Sequence, residues 1–227
     1  MSAPFPVDGL LSALAAQPRK SAGDGRAIML VSPARNDAVT AAAAAVVQAA
    51  QKSTWYAIDL DLKRNALARA LSGIEPLGPK IDGALNGACF FAARDAGGTV
   101  LAHSPDVFAF HRVGRSRAYA GVFNVRALPK GAKVVVSSRA DYWNAARLGG
   151  ASVVIEAPSL DRSPLGLRVA PHMDGVVLVV GGEPGSAPAA IAAKQALENA
   201  GANVMGLVYA GATAPVMAIE RALRQAV

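Results

Sequence analysis

The chain has 227 residues, 52% of them hydrophobic and 17% charged, and its 23 Lys and Arg outnumber 16 Asp and Glu for a net charge of +7. That balance excludes a disordered chain, and the length allows one large domain or two small ones. The single cysteine, Cys89, excludes an intrachain disulfide framework and fits a reducing compartment.

Leu10, Leu11 and Leu14 share one face and predict a helix over 6–17, followed by a polar linker over 20–25. A short apolar run predicts a strand over 26–31, and the alanine-rich stretch 39–51 a helix. A second strand is expected over 54–59 and a second helix over 63–71, after which Pro76, Gly78 and Pro79 break the pattern. Short strands are then expected over 89–94, 99–103, 107–113 and 117–125, with turns at Gly97-Gly98 and Gly114. The strand–helix rhythm resumes with a strand over 133–137 and a helix over 142–148. Further strands are expected over 153–156, 175–180 and 204–209, and helices near 165–172, over 187–200 and over 215–226.

Strands alternating with helices predict an α/β fold with a mostly parallel open sheet. The short strands in mid-chain predict an antiparallel β-meander inserted near 84–130. The expected organisation is an N-terminal helix and linker over 1–25 and a single domain over 26–227. Ligands of such sheets bind beyond the carboxyl ends of the strands, so the loops after Val31, Asp59, Glu156, Val180 and Tyr209 are the informative ones. The most apolar stretch falls short of the ~20 residues a membrane span needs. Asp8 sits where a signal peptide has its basic region, so a cytoplasmic protein is expected.

Four segments carry a family resemblance: IMLVSPARNDAVTAAAAAVV, AIDLDLKR, VVIEAPSLDRSP and MDGVVLVV, the last followed by ENAGANVMGLVYAG. In this order the chain resembles the P-loop ATPase domain of bacterial polysaccharide tyrosine kinases, related to the MinD/ParA group. The mid-chain meander is more similar to the kinase-like member of holdfast exopolysaccharide synthesis systems. The resemblance implies a P-loop NTPase fold and a site built on Thr40, Asp59, Asp61 and Glu156, the three acids catalytic if the protein is active.

Aligned on Ser32 and Thr40, however, the family's glycines fall on Asn36 and Ala38 and its lysine on Val39. A P-loop aims several backbone N–H groups at phosphate and adds a lysine charge. Losing one charge-assisted phosphate contact costs about 1.5–3 kcal/mol. Arg35, Asn36, Ala38, Val39 and Thr40 therefore form a degenerate nucleotide loop, in which Arg35 is the one available cation. Asp59 and Asp61 either hold Mg2+, as in the family, or cap the following helix. Glu156 replaces the family's aspartate, and its longer arm changes any metal geometry. The chain ends RALRQAV, without the tyrosine-rich tail of the kinases.

The charge is concentrated. Between Arg112 and Arg147 eight basic residues stand against one acid, Asp141, so this segment carries the whole net charge of +7. Phe108, Phe110, Tyr119, Phe123, Tyr142 and Trp143 lie in the same region. The segment is either a solvated edge hairpin or a surface for an anionic partner, with Arg112, Arg115, Arg117 and Arg126 as contacts. The glycines at 181–185 lack the G-x-G-x-x-G spacing and suit a plain strand–helix loop. His103, His111 and His172 lack metal-ligand spacing, so no metal site is expected. Cys89, beside Phe90 and Phe91, suits a buried thiol better than a nucleophile.

The leading expectation is a catalytically degenerate ATPase or kinase-like protein regulating exopolysaccharide synthesis or export. By resemblance its partner is an inner-membrane co-polymerase or chain-length protein, which would place it at the inner face of the plasma membrane. No cofactor is expected in that reading, and a homo-oligomer is compatible with it. The alternatives are an active ATPase or tyrosine kinase, which requires Mg-ATP, and a ParA-like nucleic-acid-associated protein. Nucleic acid is the less expected partner, and salt-dependent DNA binding would reveal it.

Overall fold

The computed structural model describes residues 7–18, 20, 23–35, 38–50, 53–137, 139–181 and 186–210. Its first half comprises α1 (Val7–Ala16), β1 (Ala27–Val31), α2 (Ala38–Ala49), β2 (Trp55–Asp59), α3 (Ala66–Ser72), β3 (Leu77–Asp82), β4 (Phe91–Arg94), β5 (Phe108–Val113) and β6 (Ala118–Phe123). Then follow β7 (Lys133–Val136), α4 (Asp141–Leu148), β8 (Ser152–Glu156), α5 (Leu165–Val169), β9 (Gly175–Gly181), α6 (Ser186–Asn199) and β10 (Val204–Ala210). The helix expected over 215–226 and the loop 182–185 lie outside the described residues.

Eight strands form one sheet in the order β10-β9-β1-β8-β2-β6-β5-β3. From β10 through β6 every pairing is parallel. The strands β5 and β3 then add an antiparallel edge. Side chains alternate across the sheet, so one strand feeds two cores. Ile28 and Leu30 of β1 pack with α1, α2 and α3, whereas Ala27, Met29 and Val31 face the opposite layer, which includes α4 and α6. The expected α/β architecture is present, and β8, β9 and β10 lie in one sheet with β1 between β8 and β9.

Three strand expectations need correction. Residues 77–82 form β3 despite Gly78 and Pro79. Proline is tolerated there because β3 is an edge strand with one row of amides unpaired. No strand forms over 99–103, where only Val100 makes an isolated bridge to Arg94. The apolar run of β7 does not enter the main sheet but pairs antiparallel with β4 in a separate two-stranded sheet.

The second core is aromatic. Phe90 stacks edge-on against Phe108, with centroids 5.0 Å apart, and also meets Tyr142 and Trp143. Phe108, Phe110, Phe123, Tyr142 and Trp143 are all buried. They are therefore core, and do not join the neighbouring arginines in a mixed basic and aromatic surface. Gly83 is required here, because a Cβ at that position would overlap the Phe108 ring.

Arg147 is a further correction to the basic segment. Helix α4 places Tyr142, Trp143, Ala146 and Arg147 on its buried face. The Arg147 guanidinium donates through Nε to Asp174 Oδ2 at 2.9 Å, and also to Asn144 Oδ1 and the His172 carbonyl. The same Asp174 oxygen accepts from the Ala27 amide at 2.6 Å, while Oδ1 accepts from the Lys20 amide. Asp174 thereby ties the entrance of β1, the entrance of β9 and α4 together. Gly25 lets the incoming chain pass against Ala151, whose carbonyl a Cβ would overlap.

Candidate functional site

The carboxyl ends of β1, β2 and β8 converge because the three strands are neighbours in one parallel sheet. There the structure brings Thr40, Asp59, Asp61 and Glu156 around one small cavity, with Arg35, Arg64 and Arg162 on its wall. The cavity holds about 70 Å3, far below the roughly 300–1,000 Å3 of small-ligand pockets.

Thr40 lies in the first turn of α2 and donates through its hydroxyl to Glu156 Oε1 at 2.5 Å. Glu156 ends β8, and its Oε2 is buried with no hydrogen-bond partner. Burial, followed by the charge of Asp59, pushes the Glu156 carboxyl up to about 7, against the pull of the Thr40 hydroxyl. Asp59 is buried at the end of β2. Its Oδ1 accepts from the Asp61 amide at 2.8 Å, and its Oδ2 from the Ala66 amide at 2.7 Å. Asp59 thus occupies both oxygens in fixing the turn into α3. Burial still pushes it up to about 6, because the amides only partly offset desolvation. Asp61 accepts from Arg162 Nη2 at 3.2 Å.

Val39, at the aligned lysine position, is 3% exposed and belongs to the core between α2 and the sheet. Its side chain packs in that core and also borders the cavity, offering hydrocarbon where the family has a lysine charge. Ala38 is half-buried at the start of α2. Arg35 is exposed at the cavity rim, and Asn36 lies outside the described residues. Arg64, Arg162 and Ser159 were not singled out in the sequence. The loop after Glu156 was, and Ser159 and Arg162 sit in it; the Ser159 hydroxyl is buried without a partner.

These residues do not fit Mg-ATP as they stand. Among the described residues no lysine lines the cavity, and the Thr40 hydroxyl is taken by Glu156. Among the described residues, no group of three or more His, Cys, Asp or Glu is placed to hold a metal ion.

The four arginines of the basic segment do not form one patch. Arg115 and Arg117 flank the β5–β6 turn, at the amino end of β6, and Arg126 follows its carboxyl end. At about 3.3 Å per residue the two groups are roughly 20 Å apart. Arg112 spends its guanidinium on the carbonyls of Ser116 and Arg115, closing that turn. Arg117 reaches the Thr54 hydroxyl. All four are exposed.

No family model and no curated protein matches the sequence. Solved structures do match. The kinase domain of the Escherichia coli tyrosine kinase ETK aligns over 83% of this chain and 68% of its own, with 14% identity and a TM-score of 0.50. The chimerical protein CapA2B2 aligns over 89% and 82%, at 16% identity and a TM-score of 0.56. The kinase domain of VpsO aligns over 84% and 86%, at 18% identity and a TM-score of 0.57. The chain therefore has the α/β fold of P-loop tyrosine kinase domains, with a mostly parallel sheet and a small antiparallel one beside it.

Proposed function

We propose that the protein is a catalytically degenerate member of this kinase fold that regulates exopolysaccharide synthesis or export, of holdfast type, through an inner-membrane co-polymerase partner. One observation carries the reading: the loop position that needs a phosphate-binding cation is Val39, packed in the core. The Thr40–Glu156 bond and the Arg162–Asp61 pair close the site with the chain's own groups. A fold kept while its nucleotide chemistry is lost suits a protein that works by contact. Among the described residues no helix is long and apolar enough to cross a membrane; membrane location would come through the partner, with the basic turn as a peripheral contact to anionic headgroups.

Calorimetry with millimolar Mg-ATP tests this, and no binding heat is expected. A micromolar dissociation constant would overturn the reading and favour an active ATPase or tyrosine kinase using Asp59, Asp61 and Glu156. Val39→Lys is expected to destabilise the fold and create no binding, because it buries an ammonium in the α2 core.

The basic turn is the proposed anion contact. Each basic residue near an anionic membrane contributes about 1 kcal/mol. Arg115→Glu with Arg117→Glu should weaken binding to phosphatidylglycerol vesicles at low salt by roughly thirtyfold or more. Arg112 is left in place because it closes the turn. Vesicle sedimentation that is unchanged in the double variant would make this turn a solvated edge only.

A further inference from the structure

A second group of reactive side chains lies away from the β1, β2 and β8 ends. Cys89 precedes β4, His103 sits in the loop between β4 and β5, and Asp82 ends β3. The Cys89 sulfur lies 3.7 Å from His103 Nδ1, and His103 Nε2 lies 2.7 Å from Asp82 Oδ1. Cys89, read from the sequence as a buried thiol, is half-buried and has a histidine partner.

The carboxylate decides the tautomer. Asp82 accepts from the Ala84 amide, which with His103 holds it below its ordinary range. An ionised Asp82 takes the Nε2–H, so Nδ1 presents its lone pair to the thiol. Thiol, imidazole and carboxylate thus stand in the order that nucleophile, base and orienting group require. Burial pushes the Cys89 thiol up, against donation from the Phe91 and Phe90 amides. The sulfur therefore rests as the thiol and needs His103 as a base at the moment of attack.

Both residues open on a cavity of about 550 Å3, inside the usual range of small-ligand pockets. Phe91, Val100, Leu101, Val107 and Leu128 give it an apolar wall. Structural packing alone requires neither the alignment of three polar groups nor a cavity at the sulfur.

We infer that Cys89, His103 and Asp82 form a thiol acyl-transfer site for carboxylic esters with an apolar acyl chain. The Cys89 sulfur attacks the ester carbonyl while its proton passes to His103 Nδ1. The carbon–sulfur bond forms, the carbon–oxygen bond to the alcohol breaks, and the leaving alkoxide takes the proton from His103. Water then attacks the thioester as His103 accepts its proton, and the departing sulfur takes that proton back. The net reaction is ester plus water to acid plus alcohol. Cys89 and His103 are catalytic residues, and Asp82 is a positioning residue.

The full chain is incubated with 4-nitrophenyl butyrate, with nitrophenolate release followed by absorbance and the quenched protein mapped by mass spectrometry. An acyl group on Cys89 is expected, absent from Cys89→Ala. Acylation should fall at least about a hundredfold in both His103→Ala and His103→Gln, the scale of general base catalysis. Asp82→Asn should lower kcat and leave KM unchanged, whereas a merely structural role would move both. Circular dichroism establishes that each variant is folded, and the glutamine variant serves if the alanine one is not. No acyl group on Cys89, or acylation within threefold of wild type in the folded histidine variant, overturns the inference.

Discussion

Asp174→Ala should lower the free energy of unfolding by about 3–5 kcal/mol, read from urea denaturation followed by circular dichroism. The pair it breaks is fully enclosed, with Arg147 at 2% and Asp174 at 0% exposure. Removing the carboxylate leaves a guanidinium in hydrocarbon with only Asn144 and the His172 carbonyl to hold it. The Ala27 amide loses its acceptor as well. Replacing both partners by apolar groups, as Arg147→Met with Asp174→Leu, should cost less than the single change, because no charge is then stranded. A loss below about 1 kcal/mol in Asp174→Ala would contradict this account of the β1 entrance.

The second large effect concerns Glu156 and depends on pH. Its carboxyl titrates at about 7 in the fold against an ordinary 4.5. The folded chain therefore binds more protons than the unfolded chain between those values. The resulting stability is fully present below the unfolded value and is lost as pH rises through about 7. A shift of this size amounts to about 3 kcal/mol. Glu156→Gln imitates the protonated acid, keeps the acceptor for Thr40 and carries no charge. It should stabilise the protein by up to about 3 kcal/mol at pH 8 and by little at pH 4. Asp59→Asn is a poorer probe, because both Asp59 oxygens accept backbone amides and asparagine offers one. Equal urea midpoints for wild type and Glu156→Gln at pH 8 would mean that the ionised acid finds a partner there.

Much of the sheet was legible because its central strands are apolar runs covered on both faces. The sequences AIMLV, VVIE and GVVLVV allow little else in a chain with interspersed helices. The edge was not legible. Gly78 and Pro79 mark a break in any local reading, yet an edge strand accepts them. The KVV run of β7 has strand character, but nothing within it names its partner as β4 rather than β2 or β8. Strand order singled out the loops after Val31, Asp59, Glu156, Val180 and Tyr209, and the structure brings the first three around one cavity. The burial of Val39 and the Arg162–Asp61 pair depend on side-chain direction, which spacing alone does not supply. Arg147 did leave a signal. Trp143, Ala146 and Arg147 follow helical spacing, and a count of charges passes over it. The Cys89, His103 and Asp82 group left no signal, since three single residues spread over two loops and a strand end form no motif.

The position of β1 governs the order in which this chain can be made. Ala27 pairs with Val153, and Ile28 pairs with Gly175. Both neighbours of the first strand thus leave the ribosome more than a hundred residues after it. A nascent chain that ends before β8 carries β1 with two open edges, and β2 lacks its neighbour on one side. Such strands, apolar and low in charge, pair readily with other chains. Synthesis proceeds at about 5–20 residues per second, so this exposure lasts on the order of ten seconds per molecule. A parallel sheet assembled from both ends of the chain therefore makes the protein a client of whatever shields unfinished chains, and overproduction faster than that capacity would yield aggregates seeded by AIMLV rather than by any surface of the finished fold.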